Sequence, residues 1–185
     1  CDAATEKDIK NKFEVVKKNF DRYEKKFLKK INLRYVVFCK NLRVSNIKTA
    51  GVPNHNVKTL IVDVKSDERY FERSLHHELF HMIEGSYIDL FSNDEWMRFN
   101  SPSFKYAKCS TCSDRLGLSL INNTKGFLTE YSMSTASEDM AEIFSFLMTD
   151  KNNLSNIILQ DSVLNIKINF LKNEIKKIDN NFKFD

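Results

Sequence analysis

The sequence predicts an α+β fold, and three observations predict it. Stretches with apolar residues at three- and four-residue steps dominate both ends of the chain. Two runs rich in β-branched and aromatic residues lie between them, at 33–44 and 59–64. Only 4 glycines and 2 prolines punctuate 185 residues, which favours long helices over a turn-rich all-β architecture. A chain of this length is expected as a single domain over 1–185, long enough for a real core, with an N-terminal part at about 1–85 and a C-terminal part at about 86–185.

The elements follow in order. Residues 5–31 read as one amphipathic helix, with Ile9, Phe13, Val16, Phe20, Tyr23, Phe27 and Ile31 as its apolar stripe. Ten Lys/Arg against six Asp/Glu in residues 1–30 read as a solvated face. Residues 33–44 read as a strand, and Gly51-Val52-Pro53-Asn54 as a turn. His55 falls in the polar loop that follows and reads as a surface residue. Thr59 to Val64 is a continuous apolar run, expected as a strand buried on both faces. Ser66 or Asp67 caps a helix that runs to about Glu84, with Gly85 as its stop. A short helix is expected through Trp96 and Met97, then an irregular stretch to a turn at Asn122–Gly126. A helix starting near Glu138 carries Met140, Ile143, Phe144, Leu147 and Met148, and residues 154–178 form another with Leu164, Ile168, Leu171, Ile175 and Ile178 as its seam.

Composition narrows the function classes. The net charge of +4 is mild, and Lys and Arg are spread along helix faces rather than clustered with aromatics, so no nucleic-acid partner is expected. No apolar run approaches the ~18 residues of a membrane span. The chain begins with Cys1 rather than Met, which reads as a mature or trimmed chain. Cys1 is either a lipid-bearing residue, and so a membrane tether, or a boundary left by trimming. Cys109 and Cys112 form a C-x-x-C with Cys39 left over. A structural zinc site would need a second close pair. A local disulfide is the reading for an exported protein, with two inert thiols as the plainer one.

The chemistry concentrates at His77-Glu78-Leu79-Phe80-His81, an H-E-x-x-H. On a helix, residues four apart share a face, so two imidazoles can bind one ion while Glu78 reaches water on it. An accidental match in a surface helix is the competing reading, weakened by the well-capped helix around it. His76 is off the ligand spacing and is expected at the helix surface or a cleft wall. A catalytic zinc has three protein ligands and an open position. The pattern H-E-x-x-H-x-x-G-x-x-H would place Gly at 84 and His at 87, but Glu84 and Tyr87 stand there. A glutamate from a later helix is the alternative. Glu138 and Glu142 both qualify, spacing does not choose between them, and Thr135-x-x-Glu138 also spells a capping box.

The stretch Tyr131-Ser132-Met133-Ser134-Thr135-Ala136-Ser137-Glu138-Asp139-Met140-Ala141-Glu142 resembles the tyrosine and paired-glutamate arrangement of gluzincins related to the anthrax lethal factor catalytic domain and the clostridial Pro-Pro endopeptidase. It is more similar still to the putative zinc-binding metallopeptidase family, many of whose members are bacterial lipoproteins. Segments Asn100–Tyr106 and Gly126–Tyr131 resemble the same family, and the resemblance covers about residues 67–150. It implies a zincin-like domain, in which a small mixed sheet and the H-E-x-x-H helix precede a mostly helical C-terminal part. It implies His77, His81 and Glu138 as ligands of one Zn2+, Glu78 as general base, Tyr131 as the transition-state hydroxyl, and Glu142 behind the ligands, bonding a histidine or shaping the field. The expected reaction is endopeptidic hydrolysis through zinc-activated water, on a peptide or protein substrate, by a monomer outside the cytoplasm, secreted or lipid-anchored. A non-enzymatic zinc-containing binding or adhesion protein on the same fold is the alternative.

Overall fold

The computed structural model describes residues 1–184. The chain forms two compact units, Cys1–Ser86 and Tyr87–Asp185.

The first unit is α+β. Strand β1 (Asp2–Ala3) leads into helix α1 (Glu6–Phe20), and α2 (Lys25–Lys30) follows. Thr5 and Asp8 cap α1 reciprocally, each side chain accepting from the other's backbone N–H. The single helix expected over 5–31 is therefore broken at residues 21–24. Continuous 3.6-residue periodicity would keep Phe13 in the stripe, yet Phe13 is 46% exposed, while Tyr23, Phe27 and Ile31 are buried. Lys12 takes the inward place, its ammonium over the Phe71 ring and paired with Glu68.

Next come β2 (Tyr35–Lys40), the hairpin β3 (Arg43–Val44) and β4 (Ile47–Lys48), then β5 (Gly51–Asn54) and β6 (Thr59–Asp63). The expected strand over 33–44 stops at Asn41, whose φ of 54° leaves the extended region. Asp63 Oδ2 accepts the Leu42 N–H just beyond it. Ser45 and Asn46 both have positive φ, as a two-residue hairpin turn requires. The main sheet has order β1-β2-β6-β5; β2 and β6 are parallel, and the outer pairs antiparallel. This is the small mixed sheet the sequence suggested, with β6 largely buried as its apolar run implies.

The segment expected as a turn at Gly51–Asn54 is instead an edge strand. Pro53 is tolerated there for a specific reason. The Asp63 N–H donates to the Ala50 C=O at 2.8 Å. By alternation, Val52 and Asn54 then bond to β6, and Gly51 and Pro53 turn their backbone groups to the outer edge. The missing N–H of Pro53 thus falls outside the ladder. Helix α3 (Glu68–Ser86) packs on β5, β6 and α1. It runs through Gly85 rather than stopping at it.

The second unit is mostly helical: α4 (Asn93–Met97), a long irregular segment, α5 (Ala136–Thr149), α6 (Lys151–Ile158) and α7 (Ser162–Ile178). The helix expected over 154–178 is thus two, but its seam of Leu164, Ile168, Leu171, Ile175 and Ile178 is buried throughout. No helix among the described residues is long and apolar enough to cross a membrane.

Two disulfides form, Cys1–Cys39 and Cys109–Cys112. The first corrects the reading of Cys39 as unpaired. It also engages the Cys1 sulfur, the atom that a thioether-linked lipid would need, so this bond and a lipid tether at Cys1 exclude each other.

Candidate metal centre

Asp67 stands immediately before helix α3, and its Oδ1 accepts the Arg69 N–H at 3.0 Å. The bond from the Arg69 side chain, then that backbone bond, holds the Asp67 carboxyl down at about 2. A carboxylate charged through the neutral range therefore sits at the positive end of the helix.

Nearly three turns on, His77 and His81 present their rings from one face. His77 is 7% exposed and His81 half-buried. Their Nε2 atoms lie 3.2 Å apart, with ring planes at 76°. A separation of 3.2 Å would let one zinc ion take both nitrogens at ordinary Zn–N lengths of about 2.0–2.1 Å. The donor set therefore fits zinc. His81 Nδ1 is 3.2 Å from Glu84 Oε2. With Nδ1–H donated to this carboxylate, the Nε2 lone pair is left for the metal. Glu84 entered the sequence reading as the approximate end of the helix and as a departure from another pattern, not as a partner of His81; its place seven residues after His77, on the same helix face, is the signal that could have found it.

Glu78 leaves α3 towards β5. A Cβ on Gly51 would lie 2.5 Å from Glu78 Cγ, so the absence of a side chain at Gly51 makes the space Glu78 fills.

His76 is not at a surface, contrary to expectation. It is fully buried, with Nδ1 bonded to Tyr23 Oη and Nε2 2.8 Å from Asn19 Oδ1. Burial, and secondarily the Arg22 charge, push its pKa down to about 3, so it stays neutral. Tyr23 and Asn19, four residues apart around the end of α1, thus lock α3 against rotation beside the histidine pair.

In the second unit, Glu138 and Glu142 stand one turn apart on α5. Thr135 caps the helix by accepting the Glu138 N–H at 3.2 Å. Glu138 is half-buried; Glu142 is 2% exposed and accepts from Thr129 Oγ1 at 2.8 Å. Tyr131 lies on a single 3-10 turn, Tyr131–Met133, its N–H donating to the Gly117 C=O at 3.0 Å.

Asp139, next to Glu138, points into the core of this unit. It is fully buried against Lys167 at 2.7 Å. Burial raises the Asp139 carboxyl pKa and lowers that of the Lys167 ammonium, each opposed by the other's charge. Sequence reasoning missed this pair. Its one sign is a lysine inside an otherwise apolar seam, directly before Ile168.

The model of a family described as putative zinc-binding metallo-peptidase matches residues 26–181. No curated protein and no solved structure matches the chain. The match spans most of the chain, which therefore belongs to this family, and the family's description names zinc as the metal.

Proposed function

We propose that this member of the zinc-binding metallopeptidases is an endopeptidase working at one zinc ion held by His77, His81 and Glu138. The observation that carries the reading is the convergence of the two imidazole Nε2 atoms at 3.2 Å, with Glu78 one residue after the first. Two imidazole nitrogens and one carboxylate oxygen are the donor types of a His2Glu catalytic zinc, and Glu138 is the carboxylate this reading assigns.

Zinc in that place supplies Lewis acidity to the scissile carbonyl and makes a water acidic enough to be deprotonated near neutral pH. Glu78 takes the proton of the attacking water and delivers it to the leaving amine nitrogen. The phenol of Tyr131 donates to the developing oxyanion, a role typically worth about 3–4 kcal/mol of barrier. Glu84 holds His81 in the tautomer that keeps Nε2 free. Glu142, tied to Thr129, stiffens the face of α5 that carries Glu138. The outer edge of β5 turns the half-buried Pro53 C=O outward, and an extended peptide docks along that edge by strand addition. The two disulfides support an extracytoplasmic location.

The test is Glu78→Gln. The expected protein binds one zinc per chain with parental affinity and cleaves no peptide in a library that the parent cleaves. A Glu78→Gln protein with activity sinks the mechanism. A parent that holds zinc but cleaves nothing favours the binding-protein reading instead.

A further inference from the structure

Asp139 makes an unusual set of bonds for a buried carboxylate. One oxygen, Oδ2, accepts from Trp96 Nε1 at 2.8 Å, Tyr106 Oη at 2.6 Å and Lys167 Nζ at 2.7 Å. The other, Oδ1, has no partner among the described residues. Lys167 Nζ also donates to the Gly126 C=O at 2.7 Å, and the Gly126 N–H donates to Asp161 at 2.6 Å. Three donors from three separate segments thus hold one oxygen atom, with a fourth segment clamped behind them.

Stability alone is a poor account of this arrangement. A buried ion pair is commonly no more stabilising than an apolar pair of the same volume. An oxygen held from three directions nevertheless does what apolar packing does less well: it fixes a point on the helix in all three dimensions.

We infer that Lys167 and Asp139 are positioning residues for the metal: they set the rotation of the first turn of α5 and so the direction in which Glu138 leaves it. The inference rests on the reading of Glu138 as a zinc ligand. Neighbouring helical residues point about 100° apart, so a peg on Asp139 fixes Glu138 without touching it. The sensitivity is high. A carboxylate carried roughly 6 Å from a helix axis moves about 1 Å for a 10° rotation, and metal–ligand distances tolerate about 0.2 Å.

The experiment measures zinc affinity of the full chain by competition with a chromophoric chelator. The principal variant is Asp139→Leu/Lys167→Met, which removes both charges together and leaves neither uncompensated. The expected protein keeps its helix content, unfolds at a lower midpoint because Trp96 Nε1, Tyr106 Oη and the Gly126 C=O each lose a bond, and binds zinc about 10–100-fold more weakly. In a Glu138→Gln background the same two substitutions are expected to weaken zinc by less than about threefold, because the ligand they position is gone. Unchanged affinity in the double variant, or the full loss repeated in the Glu138→Gln background, overturns the inference. Tyr106→Phe is the second variant should the apolar pair fail to fold: it removes one bond to Oδ2, leaves the ion pair, and is expected to weaken zinc by more than about twofold. Parental affinity in Tyr106→Phe then overturns the inference. Failure of the underlying reading is separately visible, as parental zinc affinity in Glu138→Gln alone.

Discussion

Gly51→Ala tests the placement of Glu78 without touching a ligand. A Cβ built at Gly51 meets Glu78 Cγ at 2.5 Å, Glu78 Cδ at 3.1 Å and the Ile61 carbonyl oxygen at 3.3 Å. Ordinary contact begins at 3.4 Å, so Cγ must retreat by the difference, about 0.9 Å. The strand cannot give way instead, because Gly51 is held opposite Val62 in the ladder and the Ile61 carbonyl closes the other side. The side chain of Glu78 therefore moves. A 1 Å displacement of a group in the chemistry costs about 100-fold in rate, or roughly 2.7 kcal/mol of barrier. The assay is kcat and KM on a fluorogenic peptide that the parent cleaves, run beside a chelator competition for zinc. The expected variant loses about two decades of kcat and keeps its zinc affinity, since Glu78 is not a ligand. Parental kcat refutes the argument. So does a parallel loss of zinc, which would mean that the strand moved the histidines too.

Glu84→Gln replaces the charged partner of His81 Nδ1; zinc affinity is expected to fall about 10–100-fold with helix content unchanged. Gly85→Ala puts a Cβ against the His55 ring, but that ring is the far end of an exposed side chain and can swing away; thermal denaturation should show no loss and a gain of up to about 1 kcal/mol from helix propensity. Cys39→Ala opens a bridge between residues 38 apart in sequence, worth about 4 kcal/mol by chain entropy, whereas Cys112→Ser opens one only 3 apart, worth under about 2 kcal/mol; urea unfolding of each variant orders the two. Asp8 is held well below the usual carboxylate range, first by the bond from Lys65 and then by Thr5. A depressed folded pKa stabilises above the unfolded value of about 4 and loses that contribution as pH falls below it. Asp8→Asn should therefore flatten part of the fall in urea midpoint between pH 5 and pH 3.

The features legible in the sequence were those decided by local spacing. The convergence of His77 and His81 follows from a four-residue step on a helix. The buried β6 follows from an unbroken apolar run, and the first turn of α5 at Glu138 from the Thr135 cap. What escaped was decided by partners distant in sequence. Gly51–Asn54 has turn composition, and only pairing with β6 makes it a strand, with Pro53 in the one kind of position that tolerates it. His76 is adjacent to a ligand candidate, and only Asn19 and Tyr23 make it a core residue. Lys167 reads as a solvated helix lysine until Asp139 and the Gly126 carbonyl close on it. The break after Phe20 also escaped, since the apolar period runs on through it.

Position 84 ties these strands together. A glycine there, with histidine at 87, would let the chain turn and bring a third imidazole back from the same segment. Glu84 does the opposite. It keeps α3 helical to Ser86, so the face running through 77, 81 and 84 ends in a carboxylate rather than a turn. On a helix that face repeats at four- and three-residue steps, which puts Glu84 against His81 Nδ1 as a matter of geometry. The residue that stands where the turn glycine would be therefore orients the second histidine. A helix built this way carries two ligands and no more, and a three-ligand catalytic zinc must draw its last donor from another segment. Glu138 is the carboxylate proposed for that place. Its carrier helix is pegged one residue away at Asp139 by three hydrogen bonds to a single oxygen. Each half of the donor set is thus oriented by its own unit, α3 through Glu84 and His76, α5 through Asp139.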